Sequence, residues 1–118
     1  MDLYDAMSTL RAVRRLRPDP IDDEIIERVL TAATWAPTGG NTQPWRIVAV
    51  TDPAKKQALQ DLYSPHWDGY IPGYEARLEH MPEDAKTSSI KAMEAGNYLA
   101  SHMHEVPMIA VFCFNPKL

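Results

Sequence analysis

Two runs of this chain read as β-strands, and they stand far apart. Trp45–Val50 and residues 108–114 are short, apolar and rich in β-branched or aromatic side chains. That composition fits a pleated surface. The rest reads as helix or connection. A two-stranded sheet is marginal in water by itself, so these strands call for further neighbours, from another chain or from additional sequence. The near-continuous apolar character of Trp45–Val50 predicts a central strand covered on both faces. With 118 residues the chain makes at most one domain.

The helices follow from apolar spacing. Leu3, Met7 and Leu10 recur at helical intervals and predict a short helix over about residues 2–10. Residues 11–20 carry Arg11, Arg14, Arg15 and Arg17, then Pro18 and Pro20, which favour extended backbone. Asp22 stands where a helix cap is expected, with Asp23 and Glu24 in the favourable first turn. Ile25, Ile26, Val29, Leu30 and Ala33 form one apolar face, and the helix should end near Ala36. After the first strand, Asp52 and Pro53 begin another helix whose buried side is Ala58, Leu59 and Leu62. Residues 64–73, with two prolines and two glycines, predict a loop. Residues 74–81 predict a short helix ended by Pro82. Residues 83–105 predict the longest helix, with Ile90, Met93, Asn97 and Met103 roughly aligned and Gly96 weakening it. Pro107 closes it, and the chain ends four residues after the second strand. The order is α, α, β, α, loop, α, β, with no repeat or interdomain linker. This is an α+β pattern of about two strands and four or more helices.

Charge narrows the partners. The net charge is −4, which argues against nucleic acid, whose binding needs a concentrated basic surface. The local arginine cluster suits a small anion instead, because guanidinium forks hold phosphate through bidentate, charge-assisted hydrogen bonds. In extended backbone Arg11, Val13 and Arg15 point one way and Ala12 and Arg14 the other. Not all four arginines can reach one phosphate unless the segment bends, and Arg11 and Arg14 converge if the first helix continues one more turn.

Other chemistries find little support. Cys113 is the single cysteine, so no intrachain disulfide forms, and its apolar run predicts a buried, inert thiol. His102 and His104 diverge on a helix, and His66 and His80 lack ligand-spaced partners, so no metal site is expected. Ser88 and Ser89 have no nucleophile-elbow context. Trp67, Tyr70 and Tyr74 are expected to pack, with a role in a binding pocket as the alternative. No signal peptide or membrane-length apolar run is visible, so a cytoplasmic location without membrane contact is the expectation.

The link between the second helix and the first strand is residues 36–45, Ala-Pro-Thr-Gly-Gly-Asn-Thr-Gln-Pro-Trp. Gly39 and Gly40 can take positive φ and let a ligand approach the backbone. Asn41 and Gln43 each bring an amide donor and acceptor. A flat polar heterocycle suits this stretch, although turn residues between helix and strand are also common.

Taken together, the two segments resemble the FMN-dependent nitroreductase family. That family usually shows an Arg-Arg-Ser-Val-Arg-Arg-Phe-like stretch after a first helix, then a Pro-Ser-x-x-Asn-x-Gln-Pro-Trp-like stretch leading into a strand. Here the first reads Leu10-Arg11-Ala12-Val13-Arg14-Arg15-Leu16 and the second Pro37-Thr38-Gly39-Gly40-Asn41-Thr42-Gln43-Pro44-Trp45. Leu10 and Ala12 depart from the pattern. The resemblance is close from residue 2 to about residue 62 and loose thereafter. It implies a nitroreductase-like α/β/α fold in which residues 1–118 form a partial domain lacking the C-terminal half. It implies FMN as cofactor, with Arg11 and Arg14 at its phosphate beside Ala12 and Val13. Pro37, Thr38, Gly39, Gly40, Asn41 and Gln43 would then lie at the flavin ring, across the interface of a homodimer. Asn97 would supply a polar contact from the long helix. The family's ping-pong cycle takes electrons from NAD(P)H and gives them to a small-molecule acceptor such as a nitroaromatic or quinone. The competing expectation is a truncated, non-catalytic fragment that only self-associates.

Overall fold

The structure, a computed structural model, describes residues 2–115; residues 116–118 at the chain end lie outside the described residues. The first helix, α1 (Leu3–Thr9), is capped by Asp2, whose carboxylate accepts from the Tyr4 amide. It stops at Leu10, where ψ swings to 132°, so it does not continue a turn toward Arg14. Its expected apolar face finds no cover: Leu3, Met7 and Leu10 are all exposed.

An extended segment leads to α2 (Asp23–Thr34). Asp22 receives the amides of Ile25 and Ile26 on its backbone carbonyl, and its side chain makes no cap bond. Strand β1 (Trp45–Val50) follows. Asp52 then caps α3 (Pro53–Glu79), accepting the Lys55 amide at 2.9 Å, with Pro53 in the first turn. After a short break come α4 (Glu83–His102), a 3₁₀ turn at Met103–Glu105, and β2 (Ile109–Phe114).

The expected loop at residues 64–73 and the separate helix after it are corrected by α3, which runs unbroken through Pro65 and Pro72. Each internal proline removes a helical hydrogen bond. Tertiary packing outweighs that loss. Tyr63, Trp67, Tyr70 and Tyr74 fall at helical spacing and form a continuous ladder, with successive ring centroids 6.2, 5.6 and 5.7 Å apart. Across from it, Gly96 of α4 lets the Trp67 ring in: a Cβ there would sit 2.5 Å from Trp67 Cη2. Gly96, read from sequence as a weak point, is where α4 admits the Trp67 ring of α3. The Trp67 indole N–H donates to Asn97 Oδ1 at 2.8 Å, and the Tyr74 hydroxyl donates to the Ser89 carbonyl.

The end of this hairpin is tied down by polar groups. Lys56 is buried, and its ammonium donates to the Val106 carbonyl at 2.6 Å. Gln60 Oε1 accepts from both the backbone amide and Nδ1 of His104. Leu78, Ala100 and Val106 are buried as well.

β1 and β2 pair antiparallel, with Trp45 opposite Phe114 and Val50 opposite Ile109. Val48 and Val50 face Ala58, Leu59 and Leu62 of α3. Trp45, Ile47 and Ala49 face Ile26 and Leu30 of α2 across an open cleft. Helix, sheet and helix therefore stack in three layers, but loosely. The expectation that β1 is central and doubly covered is corrected: β2 is its one neighbour among the described residues, and Val48 is half-exposed. Cys113, expected buried, is exposed as well, because nothing among the described residues lies over that part of β2.

The chain exposes 9214 Å², where a compact monomer of 13.3 kDa exposes about 6,400 Å². Its radius of gyration is 17.4 Å, against about 13.5 Å for a compact domain of this length. The fold is open, with much of its apolar surface uncovered.

Candidate functional site

The residues 37–43 form a braced, left-handed loop. Thr38 is extended, and a 3₁₀ turn follows at Gly39–Asn41. Gly40 has φ 59°, and Asn41 and Gln43 have φ 53° and 48°. Gly39 is not among the positive-φ residues. Asn tolerates this region; a long unbranched residue such as Gln43 rarely enters it. Backbone held there persists only when its surroundings enforce it.

The enforcing group is Thr38. Its hydroxyl oxygen accepts from the Gln43 backbone amide at 3.1 Å and from Gln43 Nε2 at 3.2 Å. Gln43 Nε2 also donates to Asn41 Oδ1 at 2.8 Å. The Asn41 amide closes on the Thr38 carbonyl at 2.9 Å. Two lone pairs on one hydroxyl thus hold the loop, and the Thr38 O–H remains a donor. The Asn41 side-chain N–H₂ and the Gln43 side-chain oxygen stay uncommitted among the described residues. Sequence pointed to this loop but not to Thr38 as its hub. The Thr-x-x-Asn-x-Gln spacing is the signal, and it reads as a network only once the backbone turns left-handed.

The loop surface is open. A Cβ at Gly39 would meet nothing within 4 Å, and at Gly40 only the Thr42 methyl at 3.8 Å. Pro37 is exposed and Pro44 buried, so the loop is anchored at its strand end.

The arginine segment is non-helical, with a bend at Arg15. Arg11 donates to the Ser8 and Leu10 carbonyls at 3.0 and 2.7 Å. Arg14 makes one long bond to the Ala12 carbonyl at 3.4 Å. Both leave most of the five-donor fork unused. Arg14 is half-buried and lines a cleft of about 390 Å³ with Tyr63, Trp67, Tyr70, Tyr74 and Met93. Ala12 and Val13 are exposed. Arg17 pairs with Asp19 at 2.6 Å, in solvent. Arg15 lies over the Tyr98 ring, a contact that nothing in the sequence announced.

These groups are not drawn into one constellation. Among the described residues, no hydrogen bond, ion pair or ring contact joins Arg11 or Arg14 to residues 37–43. Asn97 stands apart on α4 with its side-chain oxygen taken by Trp67. Among the described residues no group of three or more His, Cys, Asp or Glu gathers as a metal site, and no helix is long and apolar enough to cross a membrane.

The two segments and the layered fold can be set against known proteins. The family model described as "Nitroreductase family" matches residues 9–117, nearly the whole chain. This chain belongs to the nitroreductase family. A 61-residue stretch is 44% identical to a protein of Thermus thermophilus named NADH dehydrogenase, covering 52% of this chain and 30% of that one. Among solved structures, oxidized iodotyrosine deiodinase bound to FMN and 3-iodo-L-tyrosine superposes with TM-score 0.62 and 21% identity, over 94% of this chain and 55% of that one. The FMN and NADPH-dependent nitroreductase NfnB of sphigopyxis sp. strain HMH superposes with TM-score 0.60 and 23% identity, over all of this chain and 62% of that one. At these identities the structures establish the shared fold. The nitroreductase chain described here spans little more than half the length of both. Its open sheet edge and uncovered helices are what a partial region of such a fold would show.

Proposed function

We propose that this chain carries the FMN-binding front part of a flavin-dependent oxidoreductase, which takes electrons from NAD(P)H and passes them to a small acceptor such as a nitroaromatic or quinone by a ping-pong cycle. The observation that carries the reading is the braced loop 37–43, left-handed at Gly40, Asn41 and Gln43 and open above its glycines. A flat ring can approach that backbone closely. The FMN and NADPH named for the solved relatives support the same reading.

Bound FMN would supply the two-electron chemistry, and the protein would supply binding and orientation. Arg11 and Arg14 bring uncommitted guanidinium donors for the phosphate, in the segment that includes Ala12 and Val13. Pro37, Gly39 and Gly40 offer a surface for the ring. Asn41 N–H₂ and the Thr38 hydroxyl are donors, and Gln43 Oε1 is an acceptor, which matches the carbonyls and N–H of a flavin's pyrimidine edge. Asn97, engaged with Trp67, reads better as a brace for the helical hairpin than as a ring contact.

Among the described residues no hydrogen bond, ion pair or ring contact joins these segments within one chain, and about 2,800 Å² more surface is exposed than a compact monomer of this mass shows. That is the scale of a large protein–protein interface. It supports a homodimer with the flavin between subunits. The test is incubation with FMN or riboflavin followed by gel filtration and an absorbance spectrum. Retained FMN, held more tightly than riboflavin, is expected. Colourless protein after FMN incubation would favour the alternative, a non-catalytic fragment that only self-associates.

A further inference from the structure

The segment assigned to the phosphate is poorly fixed by its own backbone. Among the described residues, no backbone hydrogen bond joins residues 11–21 to another element. A chain that samples many conformations must be ordered when the ligand arrives, and that ordering weakens binding. Side chains supply the ties, with Arg14 lining the cleft beside Tyr63 and Met93 and Arg15 reaching α4. The Arg15 guanidinium carbon lies 4.2 Å from the centre of the Tyr98 ring, well within cation–π range.

Tyr98 is itself held. The His102 ring, one helical turn further along α4, stacks on it with centroids 4.0 Å apart and planes 9° from parallel. Two groups at these distances cannot share one face, so Tyr98 is sandwiched between His102 and Arg15. His102 Nδ1 lies 2.8 Å from the Tyr98 carbonyl oxygen. Since that oxygen only accepts, Nδ1 carries the proton, and the bond sets the orientation of the imidazole.

We propose that Tyr98 is a positioning residue for the phosphate-binding arginines: backed by His102, it clamps Arg15 and so fixes how the 11–15 segment presents Arg14. The backbone bends at Arg15, and Arg14, bonded directly to it, lines the cleft of Tyr63, Trp67, Tyr70 and Tyr74 on the same helical hairpin. Anchoring Arg15 on α4 therefore fixes where Arg14 is offered. The inference rests on the phosphate role proposed above for Arg11 and Arg14.

The test is equilibrium binding of FMN and of riboflavin to the 118-residue chain and to Tyr98→Leu, Tyr98→Phe, Arg15→Ala and the Tyr98→Leu/Arg15→Ala pair. Tyr98→Leu should weaken FMN about two- to fivefold, the size of an exposed cation–π contact, and change riboflavin less. Tyr98→Phe keeps the ring and should match the parent. The double variant should lose no more than Arg15→Ala alone, because both changes remove one contact. A second readout needs no flavin: the Arg15 side-chain protons should be shifted upfield by the Tyr98 ring in NMR spectra, and return to ordinary positions in Tyr98→Leu. Equal losses for FMN and riboflavin, effects that multiply in the double variant, or unshifted Arg15 protons in the parent would overturn the inference. Arg11→Gln and Arg14→Gln separate the two levels. If they shift the FMN-to-riboflavin ratio and Tyr98→Leu does not, the clamp alone is overturned. If they leave the ratio unchanged, or the parent binds neither flavin, the phosphate reading falls and the clamp with it.

Discussion

The two halves of this chain are built to different standards. The α3–α4 hairpin and the turn after it hold Lys56, Leu78, Gly96, Ala100 and Val106, all buried, and a four-ring aromatic ladder. The stretch from residue 2 to residue 50 holds both candidate flavin segments, and Pro44 is its buried residue. α2 shows Ile25 and Val29 to solvent, and Trp35 just after it is exposed as well. The hairpin buries its own contacts, whereas the region with the candidate segments has an apolar face that nothing among the described residues closes. The lesson is that the buried contacts gather in the α3–α4 hairpin, while the candidate site lies in the open part of the fold.

The largest effect should separate the halves by stability. Leu78→Ala removes a side chain that is 6% exposed and should cost about 2–5 kcal/mol, the range for a truncated core leucine. Val29→Ala, at 60% exposure, should change the isolated chain by less than about 0.5 kcal/mol. Urea unfolding of both variants checks this. Equal losses would break the comparison, because α2 would then be packed in solution.

Ligand binding sharpens it next. Arg11→Gln and Arg14→Gln should each weaken FMN by about 1–3 kcal/mol, the range for a hydrogen bond to a charged group, with riboflavin much less affected. Isothermal titration with the two flavins decides it; equal losses would show that these arginines do not hold the phosphate.

Gly40→Val places a β-branched residue at φ 59°, a left-handed conformation that costs an L-residue about 1–2 kcal/mol. Flavin binding should fall while far-UV circular dichroism stays near that of the parent. Unchanged flavin affinity would reduce the loop to a connection.

The smallest effect belongs to the hairpin. Asn97→Leu frees the Trp67 indole N–H and should cost about 0.5–1.5 kcal/mol of stability without changing flavin affinity. A loss of flavin binding at constant stability would return Asn97 to the flavin site.

Much of this was legible in the sequence because local signals carried it. Asp52 with Pro53, the Leu3, Met7 and Leu10 spacing of α1 and the apolar β1 run each act within a few residues, and the elements they mark appear where expected. The Pro-Thr-Gly-Gly-Asn-Thr-Gln loop stood out by its composition. What could not be read depends on contacts distant in sequence. Pro65 and Pro72 signal a break by themselves, and the ladder packed on Gly96 overrides them. Rings at positions 63, 67, 70 and 74 held that information as helical spacing. The burial expected for Cys113 and for both faces of β1 assumed neighbours that the described residues do not include. Gln43 at φ 48° depends on the Thr38 hydroxyl, and the local Thr-x-x-Asn-x-Gln spacing shows itself as a network only in the folded loop.

The most direct test is sedimentation velocity of the chain mixed with FMN, followed at the flavin absorbance band and at the protein band together. A flavin site completed between subunits predicts that flavin absorbance moves with a dimer or larger species and is absent from the monomer boundary. Flavin carried stoichiometrically by a stable monomer, or a dimer that sediments without flavin, would contradict it.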